Sequence, residues 1–367
     1  MTSEGTSKMS NMDEAELLTR LRALIGRKGT PQRARDPVNQ PTIRNWCDAI
    51  GETNPIYTDP DAAARSPYGE VVAPPSMLGV WTLAGNVPRV PDPSCPRSQA
   101  MKLLADTGYA STIGAYTEER YPRPLRLGEQ LSGTLSVVEI SDLKTTGLGS
   151  GYFLTALTEF ANQRGEPAGT WTFRTFHFKP RETTAEERAR HRTGQEQQAG
   201  PAEAVSELVS MPDPMARPAP PVRNATTRRY EEVAVGERLP PWSIDVTTRL
   251  VVGGAIATRD FEDIHHEVAA ARRAGLKDLF MNVLTSNGLC GRYLGEWAGP
   301  DARVTGVAIR LGTPNVVGDT MTLSASVTDK QVVDGKGIVT FDLRGANSLG
   351  DHVKGTATLE LPTGGNH

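Results

Sequence analysis

GIVTFDLRGANSLGDHVKGTATLEL, residues 337–361, reads as two strands joined by a tight turn. Its second limb sets Ala357, Leu359 and Leu361 on one face with polar residues between them, the period of a half-buried antiparallel strand. ANSLGD at 346–351 supplies the turn. Just upstream, VGDTMTLSASVTDK (317–330) repeats the alternation through Leu323, Ala325 and Val327. Before it, residues 283–297 carry apolar side chains at helical spacing instead. One helix followed by several long antiparallel strands is an α+β architecture, with the helix laid on the sheet.

The same parts occur earlier in the same order. WCDAIGETNPIYTDPDAAARSPYGEVVAPPSMLGVWTLAG (46–85) is followed by LGEQLSGTLSVVEI (127–140), then GYFLTALTEFANQRGEPAGTWTFRTFHF (151–178), with NQRGE as the turn. The chain therefore reads as two repeats. Its 367 residues suit two ordinary cores better than one. The expected division is a flexible N-terminus (1–12), a first unit (13–180), a polar and then Pro-rich linker (181–228) and a second unit (229–362). The first unit opens on an amphipathic helix that sets Leu17, Leu18, Leu21, Leu24 and Ile25 on one side. QAMKLLADTGYASTIGAYTEERYPRPLR (99–126) has no evident counterpart in the second unit and reads as an insertion.

A formal charge of −3 gives no broad basic field, which argues against nucleic acid as a partner. Cys47, Cys95 and Cys290 are scattered without metal-ligand spacing, so no metal is expected. The first residues lack the order of a signal peptide, and no run of about 18 apolar residues suggests a membrane span. The expectation is a soluble protein of the reducing cytoplasm.

RDFEDIHH (259–266) carries the chemistry. Asp260 precedes His265 by five residues at a junction between helices, where a carboxylate and an imidazole can share a water and exchange protons with it. Read alone, the stretch is equally an aspartate capping a helix beside a solvent-facing histidine.

The stretch resembles the motif of the MaoC-like hydratases, which runs Asp, aromatic, Asn, Pro, aliphatic, His. Asp260, Phe261, Ile264 and His265 match it, while Glu262 and Asp263 replace the Asn and Pro. Downstream, FMNVLTSNG (280–288) stands where that family has a helix start whose backbone N–H faces the thioester oxygen, which puts Asn282 in the usual glycine position. GETNPIYTD (51–59) resembles the same motif with Glu52 for the Asp and Tyr57 for the His. Since a phenol with a pKa near ~10 is a poor proton shuttle at neutral pH, the first unit reads as a degenerate, non-catalytic partner. APPSML (73–78) occupies its oxyanion turn with two prolines.

The longer segments resemble the two subunits of heteromeric hydratases acting on steroid side-chain enoyl-CoA esters, here within one chain. This implies a tandem, double hot-dog fold, each half a helix wrapped by an antiparallel sheet. It also implies water addition to a trans-2-enoyl-CoA to give a (3R)-hydroxyacyl-CoA, with no cofactor, Asp260 and His265 as the catalytic pair, and a bulky acyl group. Arg120, Arg123 and Arg126 can meet CoA phosphates or form a solvated face. A hot-dog thioesterase, a carrier-protein-linked dehydratase, a non-catalytic acyl-binding protein and a homo-oligomeric assembly all stay open.

Overall fold

The computed structural model describes residues 12–86, 92–181 and 223–364. Its first unit supplies β1 (Gln32–Arg33), β2 (Val72–Ala73), β3 (Ser111–Arg120), β4 (Leu125–Arg126), β5 (Ser132–Ile140), β6 (Lys144–Thr146), β7 (Gly149–Ala161) and β8 (Pro167–Pro180). The second supplies β9 (Trp242–Asp245), β10 (Arg303–Leu311), β11 (Thr320–Val333), β12 (Lys336–Asn347) and β13 (Gly350–Leu361). All but β2 and β4, which pair apart, join one sheet in the order β1-β5-β7-β8-β3-β10-β13-β12-β11-β9, with β6 on β7.

That order exposes the repeat. Outward from the β3–β10 ladder, β8, β7 and β5 on one side mirror β13, β12 and β11 on the other. β3 is thus the partner of β10, paired to it antiparallel from Arg120↔Gly306 to Tyr116↔Arg310. Residues 99–126 are consequently not one insertion: 111–120 are a core strand of the repeat, and the helix ahead of it is the added part.

The alternation reads as expected. Met321, Leu323, Ala325 and Val327 of β11 are buried, as are Val339, Phe341 and Leu343 of β12, on the face turned to the helices. Register shifts at Val137/Glu139 of β5 and Val327/Asp329 of β11 fall at matching places and bend each half around its interior.

The helices are α1 (Glu14–Arg22), α2 (Gln40–Ile50), α3 (Pro60–Arg65), α4 (Pro96–Asp106), α5 (Thr248–Ala257), α6 (Val268–Arg273) and α7 (Val283–Ala298). α7 fills the second half, capped by Asn282 and stopped at Gly299 (φ 100°). In the first half the matching segment is two short 3-10 turns, Pro75–Met77 and Gly79–Thr82, and Pro74 and Pro75 remove two N–H groups from its start. α1 and α4 pack instead at the far end, where Leu17, Leu21, Ala100 and Leu104 meet Tyr152 and Leu154 of β7.

A shared core joins the halves, with Trp46 and Ile50 of α2 packed beside Leu289 and Leu294 of α7. Gly288 permits it, since a Cβ there would come within 2.8 Å of the Trp46 ring. No helix among the described residues is long and apolar enough to cross a membrane.

Most of the stretch assigned to the linker lies outside the described residues. Its described end packs on α7: Arg223 donates to the Gly295 carbonyl at 2.8 Å, and the Arg228 amide to that of Ala298 at 2.8 Å. A chain cut at a protease site inserted after Gln195 is therefore expected to stay one particle, held by the β3–β10 ladder and the common core. Native mass spectrometry checks this; two freely separating fragments would contradict it.

Candidate active site

Helix endings deliver the motif residues. Thr247 caps α5 by accepting the Leu250 amide at 3.1 Å. At the other end the Arg259 amide bonds the Ile256 carbonyl at 3.0 Å and the Asp260 amide the Ala255 carbonyl at 2.9 Å, a Schellman ending with Arg259 at φ 60°. The first half makes the same turn with Gly51 (φ 69°), and Glu52 there bonds the Cys47 carbonyl at 2.8 Å. An arginine in that conformation costs about 1–2 kcal/mol over glycine. The strain sits immediately before Asp260.

A 3-10 turn, Asp263–His265, then brings the imidazole back beside the carboxylate. The turn survives replacement of the motif's Asn and Pro because the His265 amide still bonds the Glu262 carbonyl at 3.0 Å, matching Tyr57 to Asn54 at 3.2 Å in the first half. His265 Nδ1 lies 2.8 Å from the Phe280 carbonyl oxygen. A carbonyl only accepts, so Nδ1 carries the hydrogen, and Nε2, the acceptor of the neutral tautomer, faces Asp260. Nε2 stands 3.6 Å from Asp260 Oδ2. Two acceptors at that separation suit one water that donates a hydrogen to each and keeps its oxygen lone pairs free. The His265 side chain is 7 % exposed and that of Asp260 22 %, so the opening lies on the carboxylate side.

Asn282 does more than the sequence indicated. Its Oδ1 accepts the Thr285 amide at 2.9 Å, which fixes the orientation of the side-chain amide. Nδ2 then donates to Thr258 Oγ1 at 2.8 Å and to Asp260 Oδ2 at 3.0 Å. The cap of α7 thereby holds the carboxylate. The backbone amide of Asn282, the one expected to meet an oxyanion, stands at the start of α7, where the helix leaves its first N–H groups without intrahelical acceptors and its dipole favours negative charge. Ser286, one turn on, shares a 2.8 Å hydrogen bond with buried His352, whose Nδ1 is bound to the Thr313 carbonyl at 2.7 Å. Burial lowers the His352 pKa below the usual histidine range, so that ring is neutral. Thr258, Ser286 and His352 were not found from the sequence, where nothing but a helix-terminal Thr hinted at the first.

The first half's counterpart is closed. Glu52 accepts the Asn54 amide at 2.8 Å and is ion-paired to Arg223, which also lies 3.7 Å from Glu296. Tyr57 is buried beside them, and burial lifts both the Glu52 and Tyr57 pKa values above their usual ranges, with Arg223 opposing the rise. A cavity of about 20 Å³, room for one water, is all that remains between Glu52, Tyr57, Ser76, Arg223 and Arg292.

The three arginines form no phosphate site. Arg123 is held bidentately by Glu129 at 2.8 Å to each oxygen, Arg126 is paired with Glu70, and exposed Arg120 lies 2.6 Å from Glu118. Each guanidinium already has its carboxylate, so the CoA-phosphate role is withdrawn.

A family model described as FAS1-like, dehydratase domain region, matches residues 23–170. A probable enoyl-CoA hydratase alpha subunit of Thermomonospora curvata is 41 % identical over 167 residues, 45 % of this chain and 52 % of that protein. The chain thus spans about half the length of that relative. The 3-oxo-4,17-pregnadiene-20-carboxyl-CoA hydratase beta subunit of Mycobacterium tuberculosis is 45 % identical over 127 residues, covering 35 % of this chain and 94 % of the subunit. The chain belongs to the MaoC-like hydratase family. A solved MaoC-like dehydratase with 22 % identity superposes with a TM-score of 0.66 over 94 % of this chain and 99 % of that one. The α+β, double hot-dog fold of this MaoC-like chain is the one the family resemblance implied.

Proposed function

We propose that the protein hydrates a trans-2-enoyl-CoA to a (3R)-3-hydroxyacyl-CoA, with the active site in its second half beside the first. The observation that carries this is the facing pair Asp260 Oδ2 and His265 Nε2, 3.6 Å apart at the start of α7. A water donating to both directs its lone pair at C3 of the enoyl group. The thioester oxygen, meeting the backbone amide of Asn282 at the start of α7, takes up the enolate charge, and a proton returned from the pair to C2 completes syn addition. Asn282 keeps Asp260 turned to the water through its Nδ2 hydrogen bond.

Supporting a bulky acyl group, the first-half segment that matches α7 is two short 3-10 turns in place of a long helix, and Trp171 and Phe173 on the inner face of the sheet are only half-buried. The Mycobacterium tuberculosis relative is named for a polycyclic acyl-CoA. A chain with both halves supplies within itself the pairing that separate subunits supply in such relatives.

Purified protein is expected to bleach the enoyl-thioester absorbance, releasing no free thiol, and to prefer a steroid side-chain enoyl-CoA over crotonyl-CoA in direct competition, read as kcat/KM. Thiol release would mean a thioesterase. A preference for crotonyl-CoA would remove the bulky substrate and leave the hydratase.

A further inference from the structure

Arg97, the second residue of α4, places a guanidinium where no described residue neutralises it. Among the described residues no carboxylate lies within ion-pairing distance and no hydrogen bond holds it; its recorded neighbour is the Phe173 ring, 5.8 Å from Cζ and near the outer limit of cation–π attraction. The side chain is half-buried, and desolvation lowers its pKa. A cation in the first turn of a helix is also opposed by the helix dipole, and Cys95 gives that turn no side-chain cap. The nearby His177 cannot offset the charge: burial and Arg97 depress its pKa to about 4, and its two ring nitrogens are taken by Thr112 and Thr175 at 3.0 and 2.9 Å. Stability does not explain this arrangement, since an uncompensated cation withdrawn from water is costly.

Its position suggests what it meets. Trp171, Phe173, Thr175 and His177 alternate on the inner face of β8, the face that α7 and α4 share. A chain of side-chain contacts leads from the start of α7 to Arg97. Leu284, in the first turn of α7, and the Trp171 ring both adjoin Gly79, where an added Cβ would stand 3.7 and 3.1 Å from them. Trp171 adjoins Phe173, with ring centroids 5.7 Å apart, and Phe173 lies under Arg97. Gly114 of β3 lets Phe173 and Leu311 pack closely over the strand, because a Cβ there would stand 3.2 and 3.0 Å from them. The path is apolar and aromatic until it ends on a cation.

We infer that Arg97 is the distal anchor of the acyl site, donating hydrogen bonds to an acceptor oxygen, ketone or carboxylate, at the end of a bulky acyl group remote from its thioester. This rests on the hydratase reading for the position of the thioester end. A guanidinium rejects a bare hydrocarbon end more strongly than a hydrophobic wall rejects an oxygen, because the unmet cation would have to be desolvated again for it.

The test compares wild type with Arg97→Met and Arg97→Lys on four esters: polycyclic enoyl-CoAs bearing a distal ketone, a distal carboxylate or neither, and crotonyl-CoA, which is too short to reach. Wild type is expected to favour at least one oxygenated ester over the bare one by about tenfold in kcat/KM, consistent with a charge-assisted hydrogen bond. Arg97→Met should abolish that preference mainly through KM, Arg97→Lys should restore part of it, and crotonyl-CoA turnover should not change. Which oxygenated ester loses more identifies ketone or carboxylate. An equal loss on all four esters would make Arg97 a CoA contact or a structural residue and overturn the inference, as would an unchanged preference. If wild type hydrates none of them, the hydratase reading fails separately, and calorimetric titration of the saturated forms of the same esters still decides Arg97. Weaker binding of the oxygenated ligands alone in Arg97→Met supports it; no difference, or no binding to wild type, overturns it.

Discussion

Asp260→Asn and His265→Ala are each expected to lower kcat by about a hundredfold or more with the fold intact, the size usual for a group that moves a proton in the transition state. The geometry makes the two losses different in kind. Asp260→Asn keeps shape and volume, but an amide facing Nε2 and the Asn282 Nδ2 can present hydrogen where the carboxylate only accepted, so the water is no longer held by two acceptors. His265→Ala removes the second acceptor and also leaves the Phe280 carbonyl without its partner, so this variant loses some stability as well. Circular dichroism and unfolding midpoints separate the two effects. Tyr57→Phe is the control. Its hydroxyl sits in the closed first-half knot, and turnover should change by less than about threefold, as expected for a group with no proton to move. Near-normal turnover in either variant of the pair would remove the assignment, and a large loss in Tyr57→Phe would mean that both halves take part in catalysis.

The strands that showed in the sequence are those whose inner face is hydrocarbon. β11, β12 and β13 alternate because their inner faces bury Val, Leu, Phe and Ala. β3 was read as part of an insertion because its inner face is polar: Thr117 and Glu119 are buried there, Trp171 Nε1 donates to Thr117 at 2.8 Å, and Asn287 Nδ2 and the Tyr121 hydroxyl donate to the two oxygens of Glu119 at 2.8 and 3.1 Å. Burial lifts the Glu119 pKa to about 8. A buried polar network across the interface of two halves erases the two-residue period by which strands are recognised.

The site was legible for a similar reason and to a similar limit. Asp260 and His265 are five residues apart, and their meeting follows from a helix ending and one short turn. Asn282 was legible as a helix cap because capping is local. Its second bond reaches Asp260 across 22 residues, and no local pattern encodes that. The Arg120, Arg123 and Arg126 cluster misled because the partner that decides Arg126, Glu70, comes from 56 residues away.

Arg223 is the extreme of such long reach, and its removal carries the largest expected effect on stability. It stands in Pro-rich sequence yet ends 171 residues away on Glu52, in a cluster with side chains 10 % exposed for Arg223, 6 % for Glu52 and 2 % for Glu296. Glu296 keeps Arg292 at 3.2 Å when Arg223 is gone, whereas Glu52 keeps only the Asn54 amide. Arg223→Met, which preserves length and apolar contact, is therefore expected to destabilise the protein by about 3–5 kcal/mol near neutral pH, the usual cost of leaving one member of a buried pair charged and alone. The loss should depend on pH with a definite sign. Burial already raises the folded-state pKa of Glu52, and Arg223 is the foremost opposing influence, so its removal raises that pKa further. A carboxyl whose folded pKa exceeds its unfolded value of about 4.3 costs nothing below that value, where both states are protonated. The cost grows as pH rises above it and is complete above the folded pKa. Urea midpoints of wild type and variant should hence lie close together near pH 4 and diverge toward pH 8. Adding Glu52→Gln to Arg223→Met should recover much of the loss at pH 8, because the buried charge is gone. A deficit that is the same at both pH values and is not recovered by Glu52→Gln would show that Arg223 acts by packing against α7 rather than by holding the Glu52 carboxylate.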